Sequence, residues 1–270
     1  MHAHSCRVYV RVSGMQIGYR RAGSGEPVLF LHGGFGFDSR SWARQLDGLA
    51  DEFDVVAWDA PGCGESDDPP ARFSMADYGD CVAGLIREID LDLAHIVGLS
   101  FGSAVALAFY GRHPELARSL VLAGAYAGWA GSLPRDEVAR RVAHVTEYAA
   151  RPIEDWVAAY LPSMFSNSAP PEAVAEAHEL MSDARRAACL TGLRAMADAD
   201  LRAVLSRIDV PTLLLYGEHD SRSPVTVGQA LHAAIGTSRL VVLPRAGHLS
   251  NVEAPDAFNR ELRTFLHATR

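Results

Sequence analysis

The sequence predicts an α/β architecture: a mostly parallel sheet with helices on both faces, interrupted by an inserted helical cap. Three observations predict it. From about residue 8 to residue 125, short apolar runs alternate with helix-length segments, which is how a sheet built from strand–helix–strand units reads. From about Trp129 to Leu205 the pattern is helical, with breaks at Pro134, Pro152, Pro162 and Pro170-Pro171 and no convincing strand. The alternation then resumes at Thr212. These shifts divide the chain into a core of residues 1–125 and 206–270 and a cap of residues 126–205.

Residues 8–12 and 15–20 read as a hairpin around Ser13 and Gly14, and 27–31 as an apolar strand running into glycines. Residues 41–49 read as helix, 54–58 as strand and 78–89 as an amphipathic helix. Strand 94–97, helix 100–112 and strand 119–123 follow. After the cap come strand 212–216, helix 225–235, strand 240–243 and a closing helix over 253–267. The stretch from Leu93 to Gly111 carries no Asp, Glu, Lys or Arg and approaches the length of a membrane span. His95, Ser100, Ser103 and three glycines interrupt it, so a buried strand, a tight turn and a buried helix are expected there, and no membrane partner.

Apolar residues make up 49% of the 270 positions, enough for one large core. Acidic residues outnumber basic ones 33 to 25, a net charge of −8 with no basic tract, so no nucleic-acid partner is expected. Every one of the 25 basic residues is arginine. Without lysine there is no side-chain Schiff base, no P-loop lysine and no Ser–Lys dyad. Cys6, Cys63, Cys81 and Cys189 are scattered, with no C-x-x-C pair. They read as free thiols of a reducing compartment, neither zinc ligands nor a redox pair. The first residues hold no apolar h-region, so a cytoplasmic location is expected.

The chemistry is carried by Gly98-Leu99-Ser100-Phe101-Gly102, a G-x-S-x-G pentapeptide between a strand and a helix. A serine on such a turn needs an unusual backbone, and flanking glycines remove the clashes that side chains would cause. Its hydroxyl becomes nucleophilic when a neighbouring base takes its proton. Among the 11 histidines, His248 in Ala246-Gly247-His248-Leu249-Ser250 follows the last strand and reaches the same sheet edge. The acid that orients it is expected at Asp220, after the preceding strand and in the chain order Ser, Asp, His; Glu218 is the nearest competitor. Acyl transfer needs two N–H groups aimed at a developing oxyanion. Phe101 supplies one, and the loop Leu31-His32-Gly33-Gly34-Phe35-Gly36 the other, from Gly34 or, failing that, Phe35. His32 reads as a hydrogen-bonded loop histidine. Phe35, Trp129 and Trp156 are candidate substrate-binding residues, although each aromatic also suits ordinary packing. No charged cap residue can be placed in the pocket from the sequence.

These motifs, with the Asp59-Ala60-Pro61-Gly62-Cys63-Gly64-Glu65-Ser66 turn, resemble the α/β-hydrolase superfamily along nearly the whole chain. The segment from Leu243 to Glu253 looks similar to small serine carboxylesterases and 3-oxoadipate enol-lactonase-like hydrolases. The resemblance implies an eight-stranded, mostly parallel sheet and a cap over the site. It also implies that the Asp59 turn is structural. The expected activity is hydrolysis of a small ester or lactone through an acyl-enzyme on Ser100, without cofactor or metal. The same triad also serves C–C bond hydrolysis and metal-free peracid formation, and a ligand-binding protein on this scaffold is the non-catalytic alternative. The expected partner is a small-molecule ester or lactone, and a homodimer is compatible with the sequence.

Overall fold

The computed structural model describes residues 6–34 and 36–269. The elements of the first half are β1 (Cys6–Val12), β2 (Met15–Gly23), β3 (Glu26–Leu31), α1 (Ala43–Leu49), β4 (Phe53–Trp58), α2 (Met75–Glu88), β5 (Ala94–Leu99), α3 (Phe101–Arg112) and β6 (Ala117–Ala123). Between β6 and β7, every regular element among the described residues is helical: α4 (Arg135–Ala149), α5 (Ile153–Tyr160), α6 (Pro171–Ser182), α7 (Arg186–Asp198) and α8 (Arg202–Leu205). The chain ends with β7 (Thr212–Gly217), α9 (Val225–Ala234), β8 (Ser238–Leu243), α10 (Ser250–Glu253) and α11 (Pro255–Ala268).

The eight strands form one sheet in the order β1-β2-β4-β3-β5-β6-β7-β8. The β1–β2 and β2–β4 pairings are antiparallel and the rest parallel, so β2 alone runs against the others. Strands β4, β5 and β7 are buried at every position, which is why they read as unbroken apolar runs. The chain leaves β3 toward β4 on one side and returns to place β5 on the other. Strands β3 and β5 therefore flank a topological switch point, where open α/β sheets form their binding crevice beyond the carboxyl ends of the strands.

The uncharged stretch from Leu93 to Gly111 is β5, a turn and most of α3, as expected. No helix among the described residues is long and apolar enough to cross a membrane. Strands β1, β2, β5, β6 and β8 run two or three residues beyond the sequence reading, and two helices depart from it for local reasons. Helix α2 begins at Met75, because Ser74 and Asp77 form a reciprocal capping box. That box uses aspartate where glutamate or glutamine is the usual signal, so the sequence pattern alone starts the helix too late. The closing helix is two pieces, α10 and α11, broken at Ala254 before Pro255, since proline disfavours helical backbone in the residue ahead of it.

Helix α11 is anchored by a run of aromatics. The Phe258 ring is buried 5.9 Å from Trp42, which lies 4.9 Å from Phe30 of β3. The run braces the segment that leaves the switch point. Truncation of Phe258 to alanine is expected to cost about 3–5 kcal/mol, the range for buried phenylalanine. Urea unfolding would show this as a lower midpoint at unchanged slope, and a loss below about 1 kcal/mol would contradict a rigid aromatic anchor here.

Candidate active site

Ser100 sits between β5 and α3 with φ 54° and ψ −111°, a sparsely populated conformation costing about 1–3 kcal/mol for a non-glycine residue. The surroundings hold it there. A Cβ on Gly98 would lie 2.4 Å from the Gly102 carbonyl oxygen, and one on Gly102 would lie 2.1 Å from that of Leu31. Only glycine at both positions lets the turn close against the end of β3. The Ser100 N–H donates to the Ala123 carbonyl of β6 at 2.8 Å, pinning the turn from the other side.

His248 and Asp220 are brought together. Nδ1 of His248 lies 2.8 Å from Oδ2 of Asp220, and both side chains are buried. Oδ1 of Asp220 accepts from the Arg222 and Ser223 N–H groups at 2.9 and 2.8 Å, which leaves Oδ2 for the imidazole. The two loops are tied by main-chain bonds from Glu218 N–H to the Leu243 carbonyl and from His219 N–H to that of Ala246. Gly124, at the end of β6, has φ 50°, and a Cβ there would stand 3.0 Å from His248 Cε1. Glu218 is directed elsewhere: it accepts from the Arg245 N–H and is half exposed.

The His248 loop is also clamped to the helical insertion. Oε2 of buried Glu253 accepts from the N–H groups of Gly247 (2.9 Å) and Ser166 (3.2 Å), and Oε1 accepts from the Ser166 hydroxyl. The Leu249 N–H donates to the Met164 carbonyl at 3.0 Å.

Gly34 lies against Phe101, where an added Cβ would meet the Phe101 Cβ at 2.9 Å. Phe101 is the first residue of α3, so the positive end of the helix dipole lies there. His32 braces the loop, as expected. Its Nε2 accepts from the Ala60 N–H at 3.0 Å, so the proton is on Nδ1, which donates to the Gly33 carbonyl at 2.6 Å. The Asp59 turn is indeed structural: the carboxylate accepts from the N–H groups of Ser39 and Glu65 at 2.8 and 3.0 Å. Cys63 and Cys189 line a space of about 20 Å³ with Gly34 and Phe101. Burial pushes the Cys189 thiol up to about 12 and that of Cys63 well above its usual range, so neither is a thiolate at neutral pH. Cys63, Cys81 and Cys189 are free, and the Cys6 side chain lies outside the described residues.

Ser100, Phe101 and His248 line one cavity of about 10 Å³. Trp129 lines it too, as do Tyr126, Tyr160, Arg141 and Arg222. Trp156 is not among the lining residues. It is buried one layer back, its ring 6.3 Å from that of Tyr160, because Tyr160, one turn further along the same face of α5, takes the place at the cavity wall. Phe35 lies outside the described residues. Sequence reasoning missed both arginines. Arg222 had a signal, being two residues beyond Asp220 in a loop that must reach the site. Arg141 had none, since its spacing from Glu137 reads as a surface ion pair. Among the described residues, no group of three His, Cys, Asp or Glu side chains could hold a metal ion.

The chain belongs to the α/β hydrolase fold family, whose pattern it matches over residues 26–255. It is 31% identical over 255 residues to the protein named "Putative carbamate hydrolase RutD" of Pseudomonas savastanoi pv. phaseolicola, covering 90% of this chain and 94% of that one. Its structure is similar to a thermophilic esterase from Thermogutta terrifontis, with TM-score 0.88 and 28% identity over 98% of this chain and 99% of that one. It is also similar to the enol-lactonase of Burkholderia xenovorans LB400, with TM-score 0.86 and 26% identity over 96% and 100% of the two chains.

Burial holds the His32 imidazole below its ordinary value of 6.5, outweighing the Gly33 hydrogen bond and nearby carboxylates. As pH falls through about 6.5, the unfolded chain takes up a proton that folded His32 resists. The unfolded state then binds more protons, so this residue's contribution makes stability fall with falling pH and leaves it flat above that range. In His32→Gln, the difference in unfolding free energy between pH 8 and pH 5 is expected to shrink relative to the parent. Urea titrations at the two pH values measure it, and an unchanged difference would exclude His32 as a contributor.

Proposed function

We propose that this chain is a serine hydrolase that cleaves a small carboxylic ester or lactone through an acyl-enzyme on Ser100. The observation that carries the reading is one cavity lined by both Ser100, on its strained strand–helix turn, and His248, bonded to buried Asp220. Ser100 Oγ attacks the substrate carbonyl carbon while His248 Nε2 takes the hydroxyl proton. The Asp220 carboxylate accepts the Nδ1–H and stabilises the imidazolium. Negative charge grows on the carbonyl oxygen, where the Gly34 and Phe101 N–H groups donate to it. The tetrahedral intermediate collapses, and the leaving alkoxide takes the proton from His248. A water molecule then gives a proton to His248 and attacks the acyl carbon. The second collapse releases the carboxylic acid and returns the proton to Ser100.

The likeness to an esterase and an enol-lactonase supports this bond type. A second reading, hydrolysis of a carbamate by the same residues, is favoured by the 31% identity to the RutD protein. Turnover of a p-nitrophenyl carbamate beside matched esters separates the two.

Purified wild-type protein is expected to hydrolyse p-nitrophenyl acetate or butyrate with a burst of nitrophenol. Ser100→Ala is expected to lower kcat by about 10⁴–10⁶ and abolish the burst. An unchanged rate in that variant, or failure of a fluorophosphonate to label Ser100 in the wild type, would overturn the assignment.

A further inference from the structure

The Ser100 cavity, at about 10 Å³, has room for about one water molecule and none for an ester. Beside it lies an open cleft of about 310 Å³, the size of a small-molecule site. Arg141, Tyr160 and Arg222 line both spaces and so form the wall between them. Arg140, His144 and Ser163 line the outer side. On a chain of net charge −8, this cleft concentrates cations.

The partners of these arginines matter more than their number. Arg140 and Arg141 share a single carboxylate, that of Glu137. Arg141 Nη2 also donates to the Arg222 carbonyl at 3.3 Å. Arg222 makes no ion pair among the described residues. It donates from Nη1 to the Ser163 hydroxyl at 2.9 Å and from Nη2 to the Tyr160 hydroxyl at 2.6 Å, its guanidinium 4.2 Å over the Tyr160 ring. Both acceptors are neutral. A planar guanidinium binds a carboxylate with two parallel bonds in which both partners are charged, adding ion-pair attraction and geometric specificity that a hydroxyl does not supply.

We infer that substrates enter through this cleft and carry a carboxylate, which Arg222 binds with support from Arg141; the inference rests on the assignment of Ser100 as nucleophile. The incoming carboxylate replaces the Tyr160 and Ser163 hydroxyls as partner of Arg222. Tyr160 is thereby released from one side of the wall, and the carbonyl end of the substrate passes toward Ser100. A neutral ester must break the same two bonds without forming new ones, so charge at the far end of the substrate sets specificity.

The test compares mono-p-nitrophenyl succinate with p-nitrophenyl butyrate, which carries a methyl in place of the carboxylate. Wild-type kcat/KM is expected to favour the succinate ester. In Arg222→Gln the succinate-to-butyrate ratio is expected to fall roughly 10–100-fold, the worth of a hydrogen bond to a charged group. Arg222→Lys restores part of it, because the charge is kept and the fork is lost. A wild-type preference for the butyrate ester overturns the inference, as does a ratio that Arg222→Gln leaves unchanged even if both rates fall. If neither ester is turned over, the ester reading of the Ser100 site is what fails, and binding still decides this inference. Succinate is then titrated calorimetrically into Ser100→Ala and Ser100→Ala/Arg222→Gln proteins of matched melting temperature. Saturable binding that weakens at least about tenfold in the second supports the anion site, whereas absent or equal binding overturns it.

Discussion

Contact between the turn after β5 and the end of β3 is the constraint on which the site depends. Gly98, Gly102 and Leu31 approach so closely that no side chain fits between their backbones. That approach puts Ser100 at positive φ, aims the start of α3 at the loop after β3, and brings Gly34 against Phe101. The strain at Ser100 is small beside the burial of the sheet that enforces it: β5 lies between β3 and β6 and is buried throughout. A tightly packed centre can hold an unfavourable turn that an isolated peptide would relax.

The remaining site residues arrive from a greater distance in sequence, and main-chain contacts carry their precision. Asp220 receives two backbone N–H groups from its own loop, and that loop is stitched to the one bearing His248. Gly217 allows the crossing, since a Cβ there would lie 2.2 Å from the Gly247 carbonyl oxygen. Backbone bonds of this kind fix the Asp220 carboxylate beside the His248 imidazole without depending on flexible side chains.

Much of this was legible in the chain itself. The central strands β3 to β7 are foreshadowed by apolar runs because largely buried parallel strands leave few polar positions to confuse the reading, whereas β1 and β2 are legible as a hairpin around Ser13 and Gly14. The gathering of Ser100, Asp220 and His248 at one sheet edge was legible because each follows a strand of a parallel sheet. What escaped depended on tertiary direction. Trp129 and Trp156 are equally large and equally buried, and only the packing of the insertion turns one toward the cavity and the other behind it. Arg141 and Arg222 meet across 81 residues of sequence, a separation no local pattern reports. The two misplaced helix boundaries had local causes, an aspartate in place of the usual glutamate and a proline that splits a continuous apolar pattern.

Glu253 gives the helical insertion a fixed edge. Its carboxylate grips Gly247 and Ser166 together, beside the Leu249–Met164 bond, and the insertion is tied to the core again by Arg44 with Glu176, Arg40 with Asp183, and Arg185 with the Gly62 and Ser66 carbonyls. One buried acid thus serves two segments that are far apart in sequence. Parting them would strand N–H groups away from water, so the imidazole loop and the insertion keep a common register.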